Sequence, residues 1–224
     1  MMKPQKLPRF IIILSSLLVL SYGCNDTESN PCGGGAPSKF DITDIQLKAY
    51  IQSSFPDYPS IVYSYPEYSE GAAIDFDSLV YSLESVIQNI ASRTPERSPF
   101  YFPLIKRAYA CTPLGPTTDQ MVTDIIITSA TGFNDSHSSG SSLNAFFGVI
   151  YAESSTSYYT YTNSHVSYFN VDEYMAQGDV QAGEIIQLRL NTRPQYLENQ
   201  KFYISISLDD GEAFYLETPL LHFN

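Results

Sequence analysis

The sequence predicts a mostly β protein, an antiparallel β-sandwich that in its most detailed form is two Ig-like halves packed as one unit. Three observations predict it. Runs rich in Val, Ile, Thr, Tyr and Phe recur at turn-separated spacing through residues 40–224. Several of these runs alternate apolar and polar residues, the period of a half-buried strand. Finally, Asp210-Gly211 divides two alternating runs, 200–209 and 212–221. Glycine admits positive φ at a tight bend, so these two runs form the clearest hairpin in the chain.

The elements follow in order. Residues 40–50, from Phe40-Asp41-Ile42 to Lys48-Ala49-Tyr50, alternate and read as the first strand. Residues 52–70 read as a Pro/Ser/Tyr loop carrying Pro56, Pro59 and Pro66, with an edge strand at 61–65. Residues 73–91 support two readings. Leu79, Leu83, Val86, Ile87 and Ile90 sit at helical spacing, yet Val80-Tyr81-Ser82-Leu83 suits a strand, and strand is preferred for the first half. Residues 106–112 read as a strand ending near Cys111, and 121–130 as another. Residues 146–151, 157–169 and 184–190 are further strand-forming stretches, and 171–177 suits one or two helical turns. Ile42-Thr43-Asp44-Ile45 and Val122-Thr123-Asp124-Ile125 echo one another, which suggests that similar strands open two halves, 40–118 and 119–224.

Residues 1–23 have the three parts of a secretory signal: Lys3, Lys6 and Arg9, then an apolar run at 10–20, then Ser21-Tyr22-Gly23. As a helix the run would rise about 16 Å, too short for a hydrocarbon core of roughly 30 Å. Gly23-Cys24 resembles the lipobox of bacterial lipoproteins. Ser21 stands where that box usually has Leu, as in the relaxed boxes of Bacteroidota. The resemblance implies cleavage before Cys24, palmitate-type acylation of its thiol, and anchoring to the bacterial outer membrane. Residues 24–39 are polar and rich in Gly and Pro, a flexible tether. Asp26 and Glu28 resemble the acidic signals that send such lipoproteins to the cell surface.

The formal net charge is −12, and loss of residues 1–23 removes three basic side chains and no acidic one, leaving −15. Such a surface repels phosphate backbones, so nucleic acid is not an expected partner. With Cys24 acylated, Cys32 and Cys111 remain, an even pair in an oxidising compartment, and a disulfide between them is expected. Neither has a His or Cys at metal-ligand spacing, and no metal is expected. There is no phosphate loop and no dinucleotide fingerprint, so no cofactor is expected either.

For catalysis, the most suggestive cluster is Asn134-Asp135-Ser136-His137-Ser138-Ser139-Gly140-Ser141. A Ser nucleophile needs a base that a third group orients, and a Ser/Gly loop does not supply that geometry. A solvated loop is the preferred reading, and no catalytic residue is assigned. His165 and His222 are isolated on strands, Asp75 and Asp77 share a strand face, and Asp77-Ser78-Leu79 resembles an O-glycosylation sequon of Bacteroidota. The clearest excess is aromatic, with 18 Tyr and 13 Phe against no Trp. Tyr58, Tyr63, Tyr65 and Tyr68 cluster in one segment and Tyr158, Tyr159 and Tyr161 in another. An apolar face with a polar tip suits a surface for a glycan or protein ligand, although cross-strand aromatic pairing explains the same clusters.

Six segments, in order, resemble a group of uncharacterised Bacteroidota lipoproteins that share a domain of unknown function. They are residues 40–45, 108–113, 125–129, Phe133-Asn134, Leu143-Asn144-Ala145-Phe146-Phe147 and Leu208-Asp209-Asp210-Gly211. The resemblance implies the lipid on Cys24 and the Cys32–Cys111 pairing, and brings no activity. The expected function is that of a lipid-anchored, extracytoplasmic, non-catalytic binding or structural module. The alternatives are a secreted-type hydrolase acting on glycans or esters, and an accessory subunit of an outer-membrane complex.

Overall fold

The alternation that begins at Phe40 is realised as β1 (Lys39–Ile51), which sends Phe40, Ile42, Ile45 and Ala49 into the core. In the computed structural model, residues 39–52, 61, 65–90, 117–154, 156–162, 165–197 and 199–224 are described. β1 is followed by β2 (Ala73–Ile74), a 3-10 turn (Phe76–Ser78) and β3 (Leu79–Ile90). Then come β4 (Val122–Ser129), a second 3-10 turn (Asn144–Phe146), β5 (Phe147–Ala152), β6 (Tyr159–Thr162) and β7 (His165–Tyr168). A short helix, α1 (Val171–Met175), precedes β8 (Ile185–Leu190), β9 (Phe202–Leu208), β10 (Ala213–Glu217) and β11 (His222–Phe223). The protein is therefore mostly β.

A four-stranded sheet has the order β1-β3-β8-β5 and a three-stranded sheet the order β10-β9-β4, both antiparallel throughout. β6 and β7 form an antiparallel hairpin. β11 and β2 pair in parallel, a departure from the all-antiparallel expectation that stitches residues 222–223 beside 73–74. Both larger sheets feed one buried cluster. Tyr81 of β3 and Phe147 of β5 meet Phe202 of β9, with ring centroids 6.2 and 5.2 Å away and near-perpendicular planes. Edge-to-face packing suits the ring quadrupoles, and burying each ring adds to the roughly 1.5–3 kcal/mol typical of a large apolar side chain.

The sheets cut across the two expected halves. The four-stranded sheet takes β1 and β3 from before residue 118 and β5 and β8 from after it. The echo between residues 42–45 and 122–125 has a local meaning instead. In β1 the register shifts between Ile42 and Asp44, and in β4 between Val122 and Asp124, so Thr43 and Thr123 are each the extra residue of a β-bulge. Both hydroxyls donate across the pair at 3.1 Å, Thr43 to the Val86 carbonyl and Thr123 to the Ser207 carbonyl. Each bulge lets two apolar residues three apart, Ile42 with Ile45 and Val122 with Ile125, face the core together.

Residues 79–90 are strand along their whole length, so the helical spacing there was coincidental. The ambiguity in their first half comes from burial on both faces. Leu79, Tyr81 and Leu83 enter the main core, while Val80 joins Tyr50 and Ile150 in a second cluster covered by Tyr168. A strand buried on both sides has no reason to alternate. α1 fits the expected helical turns, with a capping box in which Asn170 accepts from the Glu173 N–H and Glu173 accepts from the Asn170 N–H, both at 2.9 Å. The expected hairpin is present, with Gly211 at φ +93°. The expected strand at 106–112 lies outside the described residues, as does most of the one at 61–65. No helix among the described residues is long and apolar enough to cross a membrane.

Candidate functional site

The tyrosines singled out in the sequence fall into different environments. Tyr58 and Tyr63 lie outside the described residues, as do Cys24, Cys32 and Cys111. Tyr65 is exposed. Tyr68 is not a surface residue: it is buried in the main core, with its hydroxyl 2.8 Å from the Ala72 carbonyl and 3.2 Å from that of Leu220. Its environment ties the loop before β2 to the segment after β10, which is a structural task. A sequence rich in Tyr and Pro gave no sign of which ring would turn inward.

Tyr158, Tyr159 and Tyr161 are brought together. Ring centroids run from Tyr151 to Tyr158 at 5.8 Å, on to Tyr159 at 5.1 Å, and on to Tyr161 at 5.3 Å. Burial, then the neighbouring phenols led by Tyr151, push the Tyr158 hydroxyl up to about 12. Tyr159 stands opposite Tyr168 in the β6–β7 register. Most of this aromatic surface is thus spent on ring–ring contact that runs from β5 into the hairpin, and of the three tyrosines Tyr161, 60% exposed, presents the large open face.

A second aromatic surface lies on the outer face of β10-β9-β4. Strand alternation turns Ile125, Ile127, Ile204 and Ile206 inward and leaves Ile126, Thr128, Tyr203, Ser205 and Tyr215 outward. In register, Ile126 and Tyr215 flank Ser205, and Thr128 and Glu217 flank Tyr203. The small Ser205 between larger neighbours leaves an open groove of about 420 Å³. Glu217 at its end is paired with Lys201 at 3.0 Å, and that contact raises the Lys201 ammonium above its ordinary value. The one legible signal for this face was Ile125-Ile126-Ile127: in a strand with one buried face, the middle residue has to point away from the core.

The His137 cluster is a closed turn. The His137 ring nitrogen Nδ1 lies 2.9 Å from Asn134 Oδ1, and the same oxygen accepts from the Ser136 and His137 N–H groups, each at 2.9 Å. The imidazole stands edge-on to Phe146 at 4.8 Å. The Ser139 hydroxyl donates to the Ala130 carbonyl at 2.8 Å, and the Ser138 and Ser141 hydroxyls face one another at 3.4 Å. The hydroxyls are turned to other partners, and the polar ring contact goes to an amide that shapes the loop. Asp135 accepts from the Tyr196 hydroxyl at 2.9 Å, which fastens the turn to the segment before β9.

Other motif residues also serve the fold. Asp209 exchanges two bonds with Met121, its N–H donating to the Met121 carbonyl at 3.0 Å and its carboxylate accepting from the Met121 N–H at 2.9 Å. Asp210 accepts from the Glu212 N–H at 3.0 Å within the hairpin turn, and these contacts hold its carboxyl below its ordinary value, led by the Gln120 amide. Among the described residues, no group of three or more His, Cys, Asp or Glu side chains is placed to hold a metal ion. Comparison of the chain with family models, with curated proteins and with solved structures finds no match.

Proposed function

We propose that this chain is a lipid-anchored, extracytoplasmic module that binds a ligand without transforming it. Residues 1–23 direct export, acyl chains on Cys24 hold the protein at a bacterial outer membrane, and residues 24–39 tether it. The two larger sheets act as the layers of a β-sandwich that displays the binding surface. The observation that carries the binding reading is that Tyr161, Tyr203 and Tyr215 stand 60%, 43% and 82% exposed on regular strands, rather than packed away in the aromatic core. Exposed tyrosine on a rigid scaffold offers contact area at little entropic cost, because its ring has only two side-chain torsions to fix.

Crosslinking in intact cells from Tyr161, Tyr203 and Tyr215, each replaced in turn by a photoreactive residue, tests this reading. The expected outcome is capture of one class of component from the wild-type anchored chain. A single stoichiometric membrane protein would make it an accessory subunit instead. Turnover of glycosidase, esterase or peptidase substrates that disappears in His137→Ala would replace the binding reading with the hydrolase. In the same cells Cys24→Ser should abolish labelling by a palmitate analogue and release the chain from the membrane fraction. Persistent labelling would refute the anchor.

A further inference from the structure

We infer that the outer face of β10-β9-β4 binds a neutral oligosaccharide, in the groove between Tyr203 and Tyr215. This deepens the binding reading and rests on it. The first ground is what the groove leaves unspent. In the β6–β7 hairpin, tyrosine rings pack on each other. Tyr203 and Tyr215 occupy diagonal positions across adjacent strands, roughly 7–8 Å apart in such a register. No ring contact joins them among the described residues, and the floor between them is a serine.

The second ground is the hydroxyls. Those of Thr128, Tyr203, Ser205 and Tyr215 line the groove, and none of the four makes a hydrogen bond among the described residues. Elsewhere on the same sheet, hydroxyls are consumed by the backbone, as at Thr123 and Thr218, which respectively donates to the Ser207 carbonyl and accepts from the Phe202 N–H. A pyranose presents an apolar C–H face and a rim of hydroxyls that both donate and accept. Two aromatic rings with Ile126, beside four free hydroxyls, match both parts.

The third ground is charge. Among the described residues, Glu217 is the one carboxylate lining the groove, and it is already paired with Lys201. A cationic peptide would find no uncompensated partner there. An anionic glycan or a nucleic acid would meet the repulsion of a strongly acidic chain, net −12 in full. A neutral ligand suffers neither cost. The volume of about 420 Å³ falls within the range of small-ligand sites, roughly 300–1,000 Å³.

The test uses the full chain purified in detergent. It is titrated calorimetrically with gluco-, manno-, xylo- and galacto-configured neutral hexasaccharides, an oligogalacturonate and a lysine-rich peptide. The expected result is binding of at least one neutral hexasaccharide, weakened about tenfold or more by Tyr203→Ala and by Tyr215→Ala. Ser205→Leu, which fills the floor while leaving both rings in place, should also abolish it. Val86→Ala, at an exposed side chain on β3 of the other sheet, should leave it unchanged, and thermal unfolding confirms that each variant is folded. Failure of every neutral hexasaccharide to bind overturns the inference. So does binding indifferent to the three groove substitutions, or preferential binding of the oligogalacturonate or the peptide. If Tyr161 still captures a component in cells while no hexasaccharide binds, the saccharide site falls and the binding reading stands.

Discussion

Replacing the buried Asn144 should markedly destabilise the fold, because its side chain stands in for a missing strand at the edge of β4. β4 is an edge strand whose Ile125 carbonyl and Ile127 N–H face away from β9. Asn144 Nδ2 donates to that carbonyl at 2.8 Å, and Asn144 Oδ1 accepts from that N–H at 2.9 Å, with the side chain buried. Asn144→Ala removes two bonds worth about 1 kcal/mol each net, a floor of about 2 kcal/mol. Two buried backbone groups left without partners raise the loss to about 3–4 kcal/mol. For a chain of this size that lowers the melting temperature by about 6–16 °C. Asn144→Asp should lose at least as much at neutral pH, since a carboxylate oxygen then faces the Ile125 carbonyl. Its deficit should shrink in acid, where the protonated carboxyl again offers a donor. Urea unfolding measures the loss, and hydrogen exchange at the Ile127 amide locates it. A loss below about 1 kcal/mol for Asn144→Ala, or an Ile127 amide as protected as in the parent, would refute the surrogate-strand account.

Tyr81→Phe should stabilise the fold by about 1 kcal/mol, because the Tyr81 hydroxyl is fully buried without a hydrogen-bond partner among the described residues. Burial holds that hydroxyl well above its ordinary value. The unfolded chain therefore releases this proton first, and stability contributed here is lost as pH rises past about 10; urea midpoints followed from pH 8 to 11 should fall less steeply in Tyr81→Phe than in the parent. A destabilised Phe variant would mean the hydroxyl has a partner. A Cys32–Cys111 bridge, proposed from the even pair of cysteines, would leave the native chain, alkylated without reduction, with no label on either thiol. Cys111→Ala should then lower stability by about 2–5 kcal/mol.

Much of the fold was legible because one face of each outer strand is buried and the other is not. Phe202-Tyr203-Ile204-Ser205-Ile206-Ser207-Leu208 alternates faultlessly, and β9 does so in space. β3 was ambiguous for the opposite reason, with both faces covered around Val80 and Tyr81. The echo at Thr43 and Thr123 was visible as a repeat, yet its meaning, an extra residue that keeps two apolar neighbours inward, required the register. The candidate surface was only partly legible. Counting tyrosines found Tyr158, Tyr159 and Tyr161 but also drew in Tyr68, which is core. It passed over Tyr203 and Tyr215, which belong to no cluster in the sequence and become neighbours only when β9 and β10 pair.

The edges of the two sheets carry a consequence for life at high density. β1 is bridged at both ends, where the Phe40 N–H donates to the Thr117 carbonyl at 3.0 Å and the Tyr68 N–H to the Ala49 carbonyl at 2.7 Å. β5 gives its Val149 N–H to the Phe169 carbonyl at 2.8 Å, and β4 is closed by Asn144 and by the Leu143 N–H on the Ile127 carbonyl at 2.7 Å. An open edge is a template onto which the next copy can add its own strand. Molecules confined to a plane, as the proposed lipid anchor would confine these, collide far more often than the same number in bulk, and their orientations are already half aligned. Each of these bridges denies a neighbour a run of free backbone at β1, β5 or β4, which leaves β10 as the sheet edge without such a bridge among the described residues, and so the edge onto which a second copy would add a strand first.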